Sequence, residues 1–226
     1  MSQHALATLL FVLAAASPAH AQDSSGPAHE IKNRVDRAVQ VLNDPATKGP
    51  ANVQERRARV RKIADEIFDF NEMSKRSLAT HWPQLPAGER ERFVRVFSDL
   101  LDRAYFEKID SYNGERVTYL QAKMEGDQAA VPTRVITPKG TEIPVEYRMR
   151  QAGGRWLVYD VIIEGVSLIS NYRSQFDRII RTSSMEDLLK RMEAQVASNR
   201  GEGGLASPAA AEQKAEPKKA RGAARE

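Results

Sequence analysis

Residues 158–176, VYDVIIEGVSLISNYRSQF, decide the fold. They begin as a strand, turn at Glu164-Gly165 and continue as a helix. A strand with one wet face alternates apolar and polar residues, but apolar side chains fill both faces over residues 156–163, and only Asp160 interrupts them. Apolar material must therefore cover both sides of the sheet here. One cover is the protein's own helices, and the other is more protein or an apolar ligand.

The segment that precedes this stretch has the period of strands. After Asn113-Gly114 the apolar period changes from helical to two, and four strands are predicted, at residues 117–124, 129–137, 142–150 and 155–163. The turns between them are short. Parallel strands need a crossover of a dozen or more residues, so these strands form an antiparallel meander. Gly165 supplies the conformational freedom for a sharp turn that brings Val166 over the sheet.

Helical patterns lie on either side of the strands. Four helices are predicted before the sheet and two after it, and the longest carries a broad apolar stripe that includes Phe93, Phe97, Leu101 and Tyr105. Asp69 with Glu72, like Asn52 with Glu55, has the spacing of a capping box. Because helices and strands are segregated along the chain, the fold class is α+β, a twisted four-stranded antiparallel meander wrapped by about six helices.

The chain divides into four regions. Residues 1–21 are predicted to be a signal peptide, because a short apolar run precedes the small-residue cleavage site Ala19-His20-Ala21, although no Lys or Arg comes before the run. Residues 22–29 form a polar leader and residues 30–197 the folded domain. Residues 198–226, rich in Ala, Lys and Glu, are predicted to be disordered. The chain has no cysteine, which excludes disulfides and a cysteine-linked lipid anchor.

Charge does not indicate a nucleic-acid binder. The net charge is +4, and residues 196–226 hold six basic and four acidic side chains, which leaves 28 basic and 26 acidic ones elsewhere. The densest basic group is Arg56, Arg57, Arg59, Arg61 and Lys62. We interpret it as a solvated helix face. Docking to an anionic membrane or an acidic partner is the alternative.

No reactive constellation is apparent in the sequence. His81, beside Trp82, is predicted to pack or to cap a helix, and no metal-binding or nucleotide-binding spacing occurs, so no cofactor, metal or catalytic residue is predicted. Asp160 and Glu164 are the one candidate carboxylate pair. We favour structural roles for them, with Asp160 bonding buried polar groups and Glu164 capping the next helix. The protein is therefore predicted to be a binding module and not an enzyme.

Surplus apolar surface around a sheet suits a lipid carrier. If the ligand is a diacyl lipid, two tails of about 15 methylenes each, at about 0.8 kcal/mol per methylene, cost on the order of 20 kcal/mol to expose to water. A dry cavity for the tails is enough, and the head group can remain solvated. The alternative interpretation of the same apolar stripe is an ordinary filled core.

Three blocks of sequence resemble one family. They are FDFNEM at residues 68–73 with Leu78 and His81-Trp82, then IPVEY at residues 143–147, then residues 155–176. In order and spacing they are similar to the periplasmic phospholipid-binding proteins of the maintenance-of-lipid-asymmetry pathway, also called the toluene-tolerance auxiliary family. The similarity covers about residues 30–195. One departure is Ala79, where the family's glycine is expected.

The resemblance implies a fold, a cargo and partners. It implies an NTF2-like sheet wrapped by helices, in a periplasmic protein that carries phospholipid between the outer and inner membranes and maintains outer-membrane lipid asymmetry. Its partners are expected to be an inner-membrane ABC transporter with a tethered lipid-binding subunit and an outer-membrane lipoprotein–porin complex. The lining of the lipid pocket is predicted to be Phe97, Leu101, Tyr105, Val145, Tyr147, Met149, Val161, Ile163, Val166, Leu168 and Tyr172.

Two alternatives stay open. A sibling branch of the family is linked to hopanoid metabolism, so a polycyclic triterpenoid is an alternative cargo. NTF2-like cavities also host isomerases and dehydratases. Such enzymes need an acid–base group deep in the cavity, and Asp160 is the candidate on a strand.

Overall fold

The computed structural model describes residues 26–47, 49–110 and 112–198. The predicted signal peptide and tail lie outside these residues. The described helices are α1 (Pro27–Asn43), α2 (Val53–Ile67), α3 (Phe70–Leu78), α4 (Ala87–Asp110), α5 (Leu168–Thr182) and α6 (Met185–Ala197), with 3₁₀ turns at Pro50–Asn52 and Ala79–Gln84. The described strands are β1 (Arg116–Tyr119), β2 (Lys123–Glu125), β3 (Gln128–Ile136), β4 (Glu142–Ala152), β5 (Arg155–Ile163) and β6 (Val166–Ser167).

The order of elements is the predicted α+β order of helices, sheet and helices. The first helix begins at Pro27, so part of the segment predicted as a polar leader is helical. The last described helix ends at Ala197, the final residue of the predicted domain. No helix in the described ranges combines the length and the apolar run needed to cross a membrane.

Side-chain caps begin three of these helices. The Asp69 carboxylate accepts a hydrogen bond from the Glu72 amide, as the spacing predicts. Ser167 and Ser184 cap α5 and α6 in the same way. Asn52 precedes α2 but makes no cap bond. Its amide instead donates to the carbonyl of Ala46 at 3.0 Å, which fastens the loop before the helix.

The antiparallel sheet contains six strands within the described residues, two more than the sequence predicts. Their order is β1-β3-β4-β5-β6, and β2 also pairs with β3. The predicted first strand is divided in two. Leu120 donates its amide to Pro132 of β3 at 3.0 Å, but proline has no N–H to return, so the ladder of β1 ends there. The additional strand, β6, follows a two-residue turn.

That turn consists of Glu164 and Gly165, which have φ angles of +50° and +85°. Two successive positive φ angles are typical of a tight hairpin, and glycine adopts them without strain. The turn places Val166 opposite Ile163 at the edge of the sheet. The prediction that Val166 lies over the sheet is therefore wrong, because the chain pairs with β5 before the helix begins.

A β-bulge explains why β5 is apolar at both odd and even positions. In the pairing with β4, Arg148 lies opposite Asp160 while Met149 lies opposite Val158, so Tyr159 is the extra residue. The bulge shifts the alternation by one residue. As a result Trp156, Val158, Val161 and Ile163 all pack in the same cluster.

The core has two hydrophobic clusters. The helical cluster lies among α3, α4, α5 and α6 and includes Phe93, Phe97, Tyr172 and Phe176. The sheet cluster lies on one face of the sheet, which we call the inner face, and is completed by Ile31 of α1 and Ile67 of α2. Phe68, between α2 and α3, packs against both clusters.

Candidate ligand-binding site

The register of the sheet defines which residues share the inner face. Tyr119 lies opposite Thr133, Thr133 opposite Val145, Val145 opposite Ile163, and Ile163 opposite Val166. Residues that lie directly opposite in neighbouring strands project from the same face. These five residues therefore form one row across the whole sheet, from the β1 edge to the β6 edge.

Burial changes along the inner face. At one end, which we call the sealed end, Val131, Met149 and Val158 are all 0% exposed. In the row described above, which we call the open end, Val145 and Ile163 keep accessible surface. The last member of that row, Val166, is 50% exposed. The inner face is thus closed by protein at one end and partly accessible at the other, where Thr133 is still 2% exposed.

Two tyrosines lie where the inner face changes from sealed to open. Burial raises the pKa of Tyr147 to about 12, yet the side chain keeps accessible surface. Burial also raises the pKa of Tyr119 above its usual range, and the nearby Tyr147 and Asp36 add to the rise.

The structure divides the predicted lining residues between the two clusters. Val145, Tyr147, Met149, Val161 and Ile163 lie in or against the sheet cluster. Phe97, Leu101, Tyr105, Leu168 and Tyr172 lie in or against the helical cluster. Val166 lies at the β6 edge of the open end. The predicted residues on the sheet are brought together, whereas the predicted helical residues pack with other helices.

The predicted lining residues on the helices pack closely against other aromatic rings. The ring of Phe97 meets those of Tyr172 and Phe176 edge-on, with centroids 5.3 and 5.4 Å apart. Phe97, Tyr172 and Phe176 are each 0% exposed. Such edge-to-face pairs are typical of a filled core.

Sequence reasoning missed two residues that adjoin the inner face. Tyr119 packs against the sheet cluster, and so does Phe68. The alternation of Val117 and Tyr119 in β1 could have identified Tyr119. Phe68 carries no such signal, because it precedes α3 and reaches the sheet through an isolated bridge to Val158.

Asp160 has a structural role. It is 5% exposed, and its carboxylate accepts hydrogen bonds from the Ser167 hydroxyl at 2.6 Å and from the Ile169 amide at 3.1 Å. It thereby anchors the first turn of α5 to the sheet. The prediction that Glu164 caps this helix is wrong, because the Ser167 hydroxyl accepts the bond from the Ser170 amide.

His81 and the basic helix face are also occupied by structural contacts. The His81 ring lies 2.9 Å from the carboxylate of Asp177 on α5, and this ties the 3₁₀ turn to that helix. On α2, Arg57 pairs with Asp102 and Arg59 with Glu55. In the described part of the chain, no three acidic or histidine side chains are placed to hold a metal ion.

A depression lies between α1 and α2. It is a groove of about 440 Å³ whose lining includes Arg37, Asp44, Arg59, Lys62 and Glu66. Arg37 pairs with Glu66, and Arg59 with Asp44. Because its walls are mostly charged, this groove does not suit hydrocarbon. The open end of the inner face remains the candidate site.

Comparison with known proteins gives this fold a class. It matches the solved structure of a phospholipid-binding protein from Ralstonia solanacearum, in complex with a phospholipid, with a TM-score of 0.67. The match has 23% identity and covers 75% of this chain and 97% of the other. The fold is therefore the α+β fold of that protein.

The family follows from the sequence. The model of the MlaC protein family matches residues 32–194, and the chain belongs to this family. It is 28% identical over 117 residues to the toluene tolerance protein ttg2D of Pseudomonas putida, over 51% of this chain and 54% of the relative. It is 23% identical over 121 residues to the intermembrane phospholipid transport system binding protein MlaC of Haemophilus influenzae, over 51% and 56%. The chain thus spans about half the length of the curated relatives it matches.

Proposed function

We propose that this protein is a periplasmic phospholipid carrier. The acyl chains lie against the inner face of the sheet, enter at the open end, and reach towards the sealed end. The observation that supports the proposal best is the burial of that face, from 0% exposure at Val131 and Met149 to 50% at Val166. The names of the relatives indicate the same class of ligand.

The chemistry of the inner face suits hydrocarbon. The side chains of the sheet cluster are aliphatic or aromatic. The buried Thr133 lies on the same face, and its hydroxyl already donates to the Val145 carbonyl at 2.8 Å. Affinity then comes from the removal of methylenes from water, at about 0.8 kcal/mol each. Such a site discriminates weakly among head groups, which stay at the accessible end. Catalysis has no part in this proposal.

The carrier role requires partners on two membranes. The proposed partners are an inner-membrane ABC transporter with a tethered lipid-binding subunit and an outer-membrane lipoprotein–porin complex. The exchange maintains outer-membrane lipid asymmetry. Release into either partner requires that the helices over the inner face separate from it, because the sealed end is closed in this structure. An assay with labelled lipid in donor and acceptor vesicles, with and without each partner, measures this step.

Native mass spectrometry tests the binding itself. Protein purified from the periplasm without detergent is expected to retain phospholipid. Ile163→Glu places a carboxylate on the inner face and is expected to abolish the bound lipid. Ile162→Glu is the matched control, because Ile162 is the adjacent residue and lies opposite Glu146 on the other face. Empty wild-type protein that takes up no lipid from vesicles, or an Ile163→Glu variant that stays loaded, contradicts the proposal.

A further inference from the structure

We infer that Tyr119 and Tyr147 bind the ester carbonyls of the cargo, the polar linkage between its acyl chains and its head group. This inference rests on the proposed function. It adds a chemical preference to that function, for lipids with ester-linked chains over lipids of equal length with ether-linked chains.

The two tyrosines lie at the appropriate depth. Tyr119 is in the row of the open end, and Tyr147 is one row deeper, opposite Val131 and Val161. Val131 is 0% exposed, so the sealed end begins at that row. Strand β3 separates the two tyrosines and they are offset by one row along the strands, which places their backbones roughly 12 Å apart. The tails can enter the sealed end only when the helices over the inner face separate from it, and the ester groups then lie at this level of the sheet.

The hydroxyl of Tyr119 needs a hydrogen-bond partner. Its oxygen is buried and has none among the described residues. Buried polar groups are normally hydrogen-bonded. Tyr119 packs against the same cluster as Val35 of α1. Cargo that enters between α1 and the sheet provides an acceptor for this hydroxyl.

Both phenols remain donors at the pH of the cell envelope. Burial raises the pKa of Tyr147 to about 12 and raises the pKa of Tyr119 further above its usual range. An ester carbonyl is a good acceptor for a neutral hydroxyl, whereas a phenolate has no proton to donate. Thr133, between them in the sheet, is not available, because its hydroxyl donates to Val145.

Tyr172 is a weaker candidate for the same contact. Its hydroxyl also has no partner among the described residues. The residue is 0% exposed, however, and its ring packs on Phe97 and Phe176. It offers no surface to a ligand unless the helical cluster itself opens.

Competition between two lipids tests the inference. Protein stripped of lipid is given an equimolar mixture of a diester and a diether phosphatidylcholine of equal chain length, and native mass spectrometry measures both complexes. Wild-type protein is expected to favour the diester by about fivefold for each hydrogen bond, and by about 25-fold when both tyrosines donate. The double variant Tyr119→Phe, Tyr147→Phe is expected to bind the two lipids about equally.

A matched control removes a hydroxyl elsewhere. Tyr159 donates to Gln128 at 2.9 Å and is not part of the sheet cluster, so Tyr159→Phe should keep the wild-type ratio. Infrared spectra of bound diester lipid labelled with ¹³C at its carbonyls give a second readout. The hydrogen-bonded carbonyl band should shift in wild-type protein and not in the double variant.

The outcomes separate the two proposals. A wild-type protein without preference, or a preference that survives in the double variant, overturns the ester contact while carrier function stands. A wild-type protein that takes up neither lipid overturns the proposed function and this inference with it.

Discussion

The two hydrophobic clusters differ in how completely they are filled. In the helical cluster, Phe93, Phe97, Tyr172 and Phe176 are all 0% exposed, and their rings lie 5.3 to 5.6 Å apart. In the sheet cluster, complete burial at the sealed end gives way to accessible side chains at the open end. Apolar side chains are thus fully closed off in one cluster and partly accessible in the other. The helical cluster is a filled core, and the sheet cluster is where we propose that the cargo binds.

The largest expected effect of a substitution is in the helical cluster. Phe97→Ala should destabilise the protein by about 3–5 kcal/mol, because it leaves a cavity among packed rings. The smaller truncation at the open end, Val145→Ala, should cost about 1 kcal/mol. Urea unfolding measures both. If Phe97→Ala lowers the free energy of unfolding only slightly but abolishes the bound lipid, the helical cluster is part of the binding site and not a filled core.

Enlarging one valine at each end of the inner face tests whether the two ends differ in packing. Val131→Phe at the sealed end should cost about 1–3 kcal/mol, because a close-packed site cannot accept the extra volume. Val145→Phe should cost less than about 1 kcal/mol, because Val145 is only partly buried. It should also lower the lipid retained through purification. Equal destabilisation by the two substitutions would indicate that the inner face is packed along its whole length.

Alkaline pH should weaken the sheet cluster through Tyr147. An unfolded tyrosine ionises near pH 10, whereas burial holds the folded group neutral to about pH 12. Stability is therefore unaffected below pH 10 and falls as the pH rises through this window. The loss from Tyr147 is on the order of 2 kcal/mol at its upper limit. Urea midpoints measured across the window should fall less steeply for Tyr147→Phe than for wild-type protein or Tyr159→Phe.

The smallest effect concerns a backbone position beside the helical cluster. Ala79 ends α3 with a φ of +47°, in a region that favours glycine. Ala79→Gly should stabilise the protein by about 1 kcal/mol by relieving this strain. Ala38→Gly in the middle of α1 should instead destabilise by about 1 kcal/mol. Thermal melts compare the two, and destabilisation by Ala79→Gly would show that the angle carries no strain.

Local patterns predicted much of the fold. The capping spacing of Asp69 and the strand that ends at Ile163 were both correct. Two features depended on pairing between distant residues and were missed. Pro132 ends the ladder of β1 because it faces Leu120 across the sheet, and the bulge at Tyr159 exists only in the register with β4. Neither can be recognised from one strand alone.

By itself the sequence determined the α+β order of elements, because apolar periods of 3.6 and two residues are properties of each segment. The tertiary structure decided which apolar residues share a cluster. Phe97 and Val145 look alike as members of apolar stripes, but one packs among helices and the other lies on a half-covered sheet. Their difference arises from the register of the strands and from how far the helices extend over the inner face. These depend on contacts between segments far apart in the chain.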